Sequence, residues 1–272
     1  MTEPKFISSL QNPLLKEIRR AMAAGGLTAS GFAVAEGTHL LEEAFRSRSE
    51  VPVVVVSEAA HPRLSVSPPA GQTLETVVVP DAVFAKLSDL EQDQGVMALV
   101  RPRAWRLEEL LLGQPLLILL DGVQHPGNAG AILRVAEAFQ ATGVVFLKGS
   151  VDPYNPKCVR SSAGSVFRLP VVVRPDLSST LGLIESQEIR LYAAVPDGAT
   201  PVNEADLSDP CAIVMGSEGH GISAPVRSRT LAVRIPTAMV ESLNVAVAAG
   251  IILYEAGRQR RGLPRALPFA AV

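Results

Sequence analysis

The sequence predicts an α/β protein built on mostly parallel sheet with helices on both faces. Three observations carry this prediction. The runs VPVVVV (51–56) and LLILLDGV (116–123) are short and continuously apolar, as strands covered on both faces are. Amphipathic segments of helical spacing stand between such runs. The alternation of strand and helix extends along almost the whole chain.

In chain order, PLLKEIRRAM (13–22) has helical spacing, GFAVAEG (31–37) is a short strand, and THLLEEAFRS (38–47) is a helix with Thr38 as its N-cap. After the strand at 51–56 comes a Pro/Ser/Gly-rich stretch at 61–71. A strand from 77, a helix at 81–90 and a strand at 94–100 follow. RPRAWR (101–106), with the single Trp105, is polar and basic and marks a domain boundary near residue 105. Beyond it the pattern predicts a strand at 116–123, a helix at 129–140 and a strand at 144–148. A helix near 155–163, a strand at 166–173 and a helix at 178–187 continue it. Strands at 191–195, 211–216 and 231–235 and a last helix at 242–258 complete it. Residues 1–105 and 106–272 are the two expected domains.

The 272 residues carry a net charge of −2, which taken alone argues against a nucleic-acid partner. The charge is uneven, with 8 Lys/Arg against 12 Asp/Glu in residues 1–100. The tail holds Arg258, Arg260, Arg261 and Arg265 with no acid. Two cysteines, Cys158 and Cys211, cannot build a disulfide framework and read as packing residues. The N-terminus lacks a signal-peptide layout, and no apolar run approaches the roughly 18 residues that span a bilayer, so the expected location is cytoplasmic. No His/Cys spacing predicts a metal site, and no Ser/His/Asp order predicts a hydrolase.

Chemistry is expected in three segments that follow predicted strands, where open parallel sheets bind ligands. In DGVQHPGNAGAILRVAEAF (121–139), Ile132, Val135, Ala136 and Phe139 make the buried face. Arg134 lies about 200° from Ile132 and points away from it. It reads either as a site residue or as a solvated arginine beside Glu137, and Asn128 as a site residue or a plain N-cap. VMGSEGHGIS (214–223) sets Gly216, Gly219 and Gly221 around Glu218, either a ligand loop or a tight turn. In RIPTAMVESLNVAVAAGIILYEAGRQR (234–260), Val245–Leu253 is apolar all round, predicting a helix buried on most sides. Its small residues, including Ala249 and Gly250, admit a close helix neighbour; Ser242 and Asn244 just ahead of it read either as site residues or as an N-cap, Ser242, beside an asparagine that satisfies a nearby backbone group.

Taken together, NAGAILRVAEAF, GSEGHGIS and IP…ESLNVAVAAGIILYE resemble the three signature motifs of the SpoU (TrmH-type) RNA 2′-O-ribose methyltransferases of the SPOUT superfamily. ISSLQNPLLKEIRRA (7–21) and FAVAEGTHLLEEA (32–44) are similar to the substrate-binding domain that precedes many of these enzymes. The resemblance implies methyl transfer from S-adenosylmethionine to a ribose 2′-hydroxyl of structured RNA, with ribosomal RNA preferred over transfer RNA. It implies that Asn128, Arg134, Glu218, Ser242 and Asn244 act at the reacting centre, and that Gly216, Ile235 and Leu243 hold the cofactor. It further implies a C-terminal SPOUT-type sheet with a deep trefoil knot, a smaller α/β substrate-binding domain, and a homodimer. The loop IPTAMVESLN departs from the family, with Thr237 where Met is usual, no glycine, and one residue fewer.

The transfer needs positioning and charge stabilisation more than covalent chemistry. An arginine with a pKa above about 12 is a poor proton acceptor, so Arg134 is expected to act electrostatically, with the proton passing to phosphate or water. RNA contact is expected from Arg101–Arg106, Arg134 and Arg258–Arg265. Two rivals make different demands on the sequence. A nucleotide-binding oxidoreductase needs a G-x-G-x-x-G fingerprint, which is missing. A non-catalytic RNA-binding protein on the same scaffold is expected to lose Arg134 or the S-L-N element, and both are present.

Overall fold

The computed structural model describes residues 3–64, 68–90 and 92–260. The chain divides into two compact units, one formed by residues up to Arg103 together with Asp152–Arg168, the other by Ala104–Val151 and the chain from Leu169 onward.

The first unit opens with β1 (Lys5–Phe6) and α1 (Pro13–Ala24). Asn12 caps α1 by accepting the Leu14 N–H at 3.0 Å, and Pro13 supplies a pre-set first turn. Gly25 ends it in the left-handed region, with φ of 70°, a conformation that costs glycine nothing. β2 (Ala33–Glu36), α2 (Thr38–Arg46), β3 (Glu50–Ser57), β4 (Glu75–Val79), α3 (Asp81–Phe84) and β5 (Val96–Arg101) follow. The sheet order is β1-β4-β3-β5-β2. It is mixed, because β5 runs antiparallel to both β3 and β2. Leu15, Ile18 and Met22 of α1 pack with Val55, Val77, Phe84 and Met97 in its core.

Two local expectations are corrected in this unit. Thr38 does not cap α2. Gly37 occupies the cap position, and the Thr38 N–H and hydroxyl both donate to Gln94 Oε1 at 3.0 Å. The helix expected at 81–90 stops at Phe84. Hydrogen-bonded turns carry the chain on to Ser88, which accepts the Leu90 N–H at 3.0 Å and donates its hydroxyl to Glu36 in place of any helical continuation.

The second unit begins with α4 (Leu107–Leu110), β6 (Leu116–Asp121), α5 (Pro126–Ala138) and β7 (Gly143–Phe146). The chain then contributes α6 (Pro156–Ser161) to the first unit. There Arg160 reaches the buried Glu36 at 3.1 Å, while Arg168 and Arg46 both pair with the buried Glu43. Burial raises the Glu36 carboxyl above its ordinary range, against the opposing pull of Ser88 and Arg160. Where a strand was expected at 166–173, a single 3₁₀ turn covers Ser165–Phe167 and the strand is shorter.

The second unit resumes with β8 (Val171–Val173), α7 (Leu177–Ser186), β9 (Arg190–Ala194), β10 (Thr200–Pro201), β11 (Cys211–Gly216), α8 (Ala224–Arg227), β12 (Leu231–Arg234) and α9 (Val245–Gln259). Its seven strands are ordered β10-β12-β9-β11-β6-β7-β8, and every pairing is parallel. β6 is buried along its length and β11 from Cys211 to Met215, as their apolar runs require. In their register Asp121 pairs with Gly216, so both strands end at one level.

α9 corrects a further expectation. Ala249, Ile252, Leu253 and Ala256 are buried, but Val247, Ile251 and Tyr254, at i, i+4 and i+7, form an exposed apolar stripe. The small-residue face does admit a neighbour. Gly250 lies against Val135 of α5, and the rings of Phe139 and Tyr254 meet edge to face at 6.0 Å.

Candidate active site

The site grows from the carboxyl ends of these parallel strands. At the end of β6, the buried Asp121 accepts the Ser223 N–H at 2.7 Å, tying the loop after β11 to the loop after β6. Ser150 accepts the Gly122 N–H at 3.0 Å and donates to the Leu120 carbonyl at 2.8 Å. The chain then turns into α5 with His125 as its N-cap and Pro126 at its first position. Asn128 is therefore not the cap. It lies in the first turn with its side chain free to reach other loops.

After β11 the backbone folds into a tight turn in which Ser217 and Gly221 exchange two hydrogen bonds of 3.0 Å. Gly216 is required by this turn. A Cβ there would stand 2.5 Å from the Gly221 carbonyl carbon, closer than any real side chain approaches backbone. The turn carries Glu218, whose carboxylate accepts a hydrogen bond from the Asn128 amide.

The loop of the third segment ends at Asn244, which is the N-cap of α9 in place of Ser242. Its Oδ1 accepts the N–H groups of Ala246 and Val247 at 2.9 and 3.3 Å. Its amide nitrogen donates to Asn128 Oδ1 at 3.1 Å. Glu218, Asn128 and Asn244 thus form one hydrogen-bonded chain linking all three segments.

Beside that chain lies a cavity of about 530 Å³. Gly216, Glu218, Ile235, Ser242, Leu243 and Asn244 line it together. Ala194 to Pro196 at the end of β9, Met215, Val233, Glu241 and the α9 residues Val245, Ala248 and Ile252 complete much of the wall. The sequence did not mark Ala194–Pro196 as site residues, although they follow a predicted strand and meet the rule that ligands bind at strand ends.

Arg134 stands apart from the cavity wall. It is exposed on α5, and no hydrogen bond or ion pair links it to another described residue, Glu137 included. His220 is exposed in the turn after Glu218, and among the described residues no group of His, Cys, Asp or Glu is arranged to hold a metal. Cys158 and Cys211 are buried. Desolvation pushes the Cys158 thiol up to about 12 and raises Cys211 as well, so neither is a thiolate at neutral pH.

The basic segments expected to meet RNA are partly engaged internally. Arg101 pairs with Glu50 at 2.7 Å and covers the Phe32 ring at 4.1 Å, and Arg106 pairs with Glu108 at 3.5 Å. Arg258 pairs with Glu255 at 2.7 Å. Arg260 donates to the carbonyls of Leu207, Gln114 and Pro115 at 2.7, 3.1 and 3.2 Å and also to that of Asp209, so it is a structural clamp. Arg261 and Arg265 lie outside the described residues.

Known proteins resemble the chain over both units. Residues 115–254 match the SpoU rRNA methylase family, and residues 12–98 match the MRM3-like substrate binding domain. A relative from Synechocystis, named an uncharacterized tRNA/rRNA methyltransferase, is 37% identical over 93% of this chain and 94% of its own length. The 23S rRNA (guanosine(2553)-2′-O)-methyltransferase RlmP of Bacillus subtilis is 31% identical over 92% of this chain and 98% of its own length. The SpoU methyltransferase AviRb from Streptomyces viridochromogenes, solved with AdoMet, superposes with a TM-score of 0.80 at 27% identity. That match covers 93% of this chain and 99% of that one.

Proposed function

Because the chain belongs to the SpoU rRNA methylase family, we propose that it transfers the methyl group of S-adenosylmethionine to a ribose 2′-hydroxyl of structured RNA, ribosomal before transfer RNA. The observation that carries this reading is the Glu218–Asn128–Asn244 chain, drawn from three separate segments to the edge of one cavity.

The cavity suits the donor. Its volume is within the usual range for small-molecule sites, and Ile235, Leu243, Val245 and Ile252 offer apolar wall beside polar backbone. Gly216, Ile235 and Leu243 are the residues that would hold S-adenosylmethionine, a sulfonium that supplies an already activated methyl group. Asn128, Glu218, Ser242 and Asn244 orient the ribose at its rim. Arg134, with no partner among the described residues, binds an RNA phosphate and stabilises charge developing on the 2′-oxygen as its proton leaves to phosphate or water.

A homodimer and a deep trefoil knot in the C-terminal half belong to the same reading. The exposed Val247, Ile251 and Tyr254 stripe supports the dimer, since an apolar helix face of this kind is a common subunit contact. No described helix is long and apolar enough to cross a membrane, and we place the protein in the cytoplasm with its RNA. Mapping of 2′-O-methyl nucleotides in ribosomal and transfer RNA from cells with and without the gene tests the function. One ribose methylation should disappear with the gene, and an unchanged map refutes the reading.

A further inference from the structure

Among the described residues, the cavity wall holds two carboxylates, Glu218 and Glu241, and no Lys, Arg or His. The two acids differ in what they meet. Glu218 is engaged by the Asn128 amide. Glu241 has no hydrogen bond or ion pair to any described residue. A short loop delivers it to the wall, because the Thr237 hydroxyl donates to the Val240 carbonyl at 2.7 Å and closes the turn immediately before it. Glu241 stands three residues ahead of the Asn244 cap, outside the first turn of α9, so helix polarity does not account for its place. The site therefore presents an unneutralised negative charge beside apolar walls, where a cation is held more strongly than in open water.

We propose that Glu241 is the recognition group for a cationic centre of the methyl donor. The inference rests on the reading of this cavity as the donor site. S-adenosylmethionine carries two such centres, the sulfonium and the α-ammonium. S-adenosylhomocysteine keeps the ammonium alone, and 5′-methylthioadenosine has neither. These three compounds therefore separate the two centres.

Calorimetric titration of the full chain and its Glu241→Gln variant with all three compounds tests the assignment. The substitution should weaken S-adenosylmethionine about three- to fivefold, the scale of one partly exposed charge pair, and leave methylthioadenosine unchanged. An equal loss for S-adenosylhomocysteine assigns the contact to the ammonium. No loss for it assigns the contact to the sulfonium and makes Glu241 a discriminator of donor from product. Raising the salt should shrink the difference. Unchanged S-adenosylmethionine affinity, or an equal loss for all three compounds, overturns the proposal, the latter by making Glu241 a support of loop shape. If the unsubstituted protein binds none of the three, the donor-site reading itself fails and this inference with it. Glu241 is exposed, so the variant should melt at the temperature of the parent.

Discussion

The amide of Asn244 donates to Asn128 Oδ1 at 3.1 Å across 116 residues of sequence, while its own Oδ1 caps the N-terminus of α9. One side chain thus starts a helix and holds a site residue. The two tasks separate by substitution. Asn244→Ala should cost about 1 kcal/mol of stability as a lost cap and reduce methyl transfer much further. Asn244→Asp keeps the capping oxygen but has no donor for Asn128. It should restore the melting temperature and leave transfer depressed. Recovery of both together would reduce Asn244 to a cap.

Arg134 is exposed and bonded to no described residue, so its removal leaves the fold undisturbed. Arg134→Ala should lower transfer by about 100-fold or more, the scale of one lost electrostatic contact to a transition state. Donor affinity, read by calorimetry, should stay at the parental value. Near-normal turnover would remove Arg134 from the mechanism.

Gly216→Ala drives a methyl group against the Gly221 carbonyl carbon, 2.5 Å from where it would stand. The 217–221 turn must then shift, at a cost of about 1–3 kcal/mol. Both melting temperature and donor affinity should fall, since the same turn forms cavity wall. A lower melting temperature with intact affinity would confine Gly216 to a structural role.

The stripe on α9 gives a third kind of test. Tyr254→Glu and Val247→Glu change side chains that are 53% and 52% exposed, so the protomer should still fold. Sedimentation velocity should show a dimer for the parent and a monomer for the double variant. A parent that sediments as a monomer at all concentrations would refute the assembly.

Arg260 is predicted to act on stability alone. Its guanidinium binds four backbone carbonyls, and Arg260→Ala should cost about 2 kcal/mol by leaving them short of donors. The salt dependence of RNA binding should not change, as it would if this arginine met a phosphate.

The central strands and long helices were legible because burial writes itself into apolar periodicity. LLILLD, CAIVMG and the α5 and α9 segments all appear close to where their patterns put them. What escaped was set by contacts distant in the chain. The antiparallel course of β5 is set by its pairing with β2 and β3, strands far before it in the chain. The exposed stripe on α9 looks identical in sequence to its buried face, because an apolar side chain does not declare what covers it. The Asn244–Asn128 and Asn128–Glu218 bonds required the loops to be brought together first. Arginine counts misled for the same reason, since Arg258 and Arg260 look free until Glu255 and the carbonyls around residue 207 are placed beside them.

Arg160 and Arg168 have a consequence for inheritance. They meet Glu36 and Glu43, yet the acids and the arginines lie on opposite sides of residue 104, where the chain first passes between units. A chimera that exchanged the N-terminal hundred residues for those of another enzyme would import acids, or lose them, without their arginines. Leaving one member of a buried pair alone costs about 3–5 kcal/mol, a large part of an ordinary domain's stability. The two halves of this gene are therefore not freely interchangeable parts. A successful graft must carry the 152–168 segment with the N-terminal block, and lineages that recombine at the junction should be seen to exchange both pieces together.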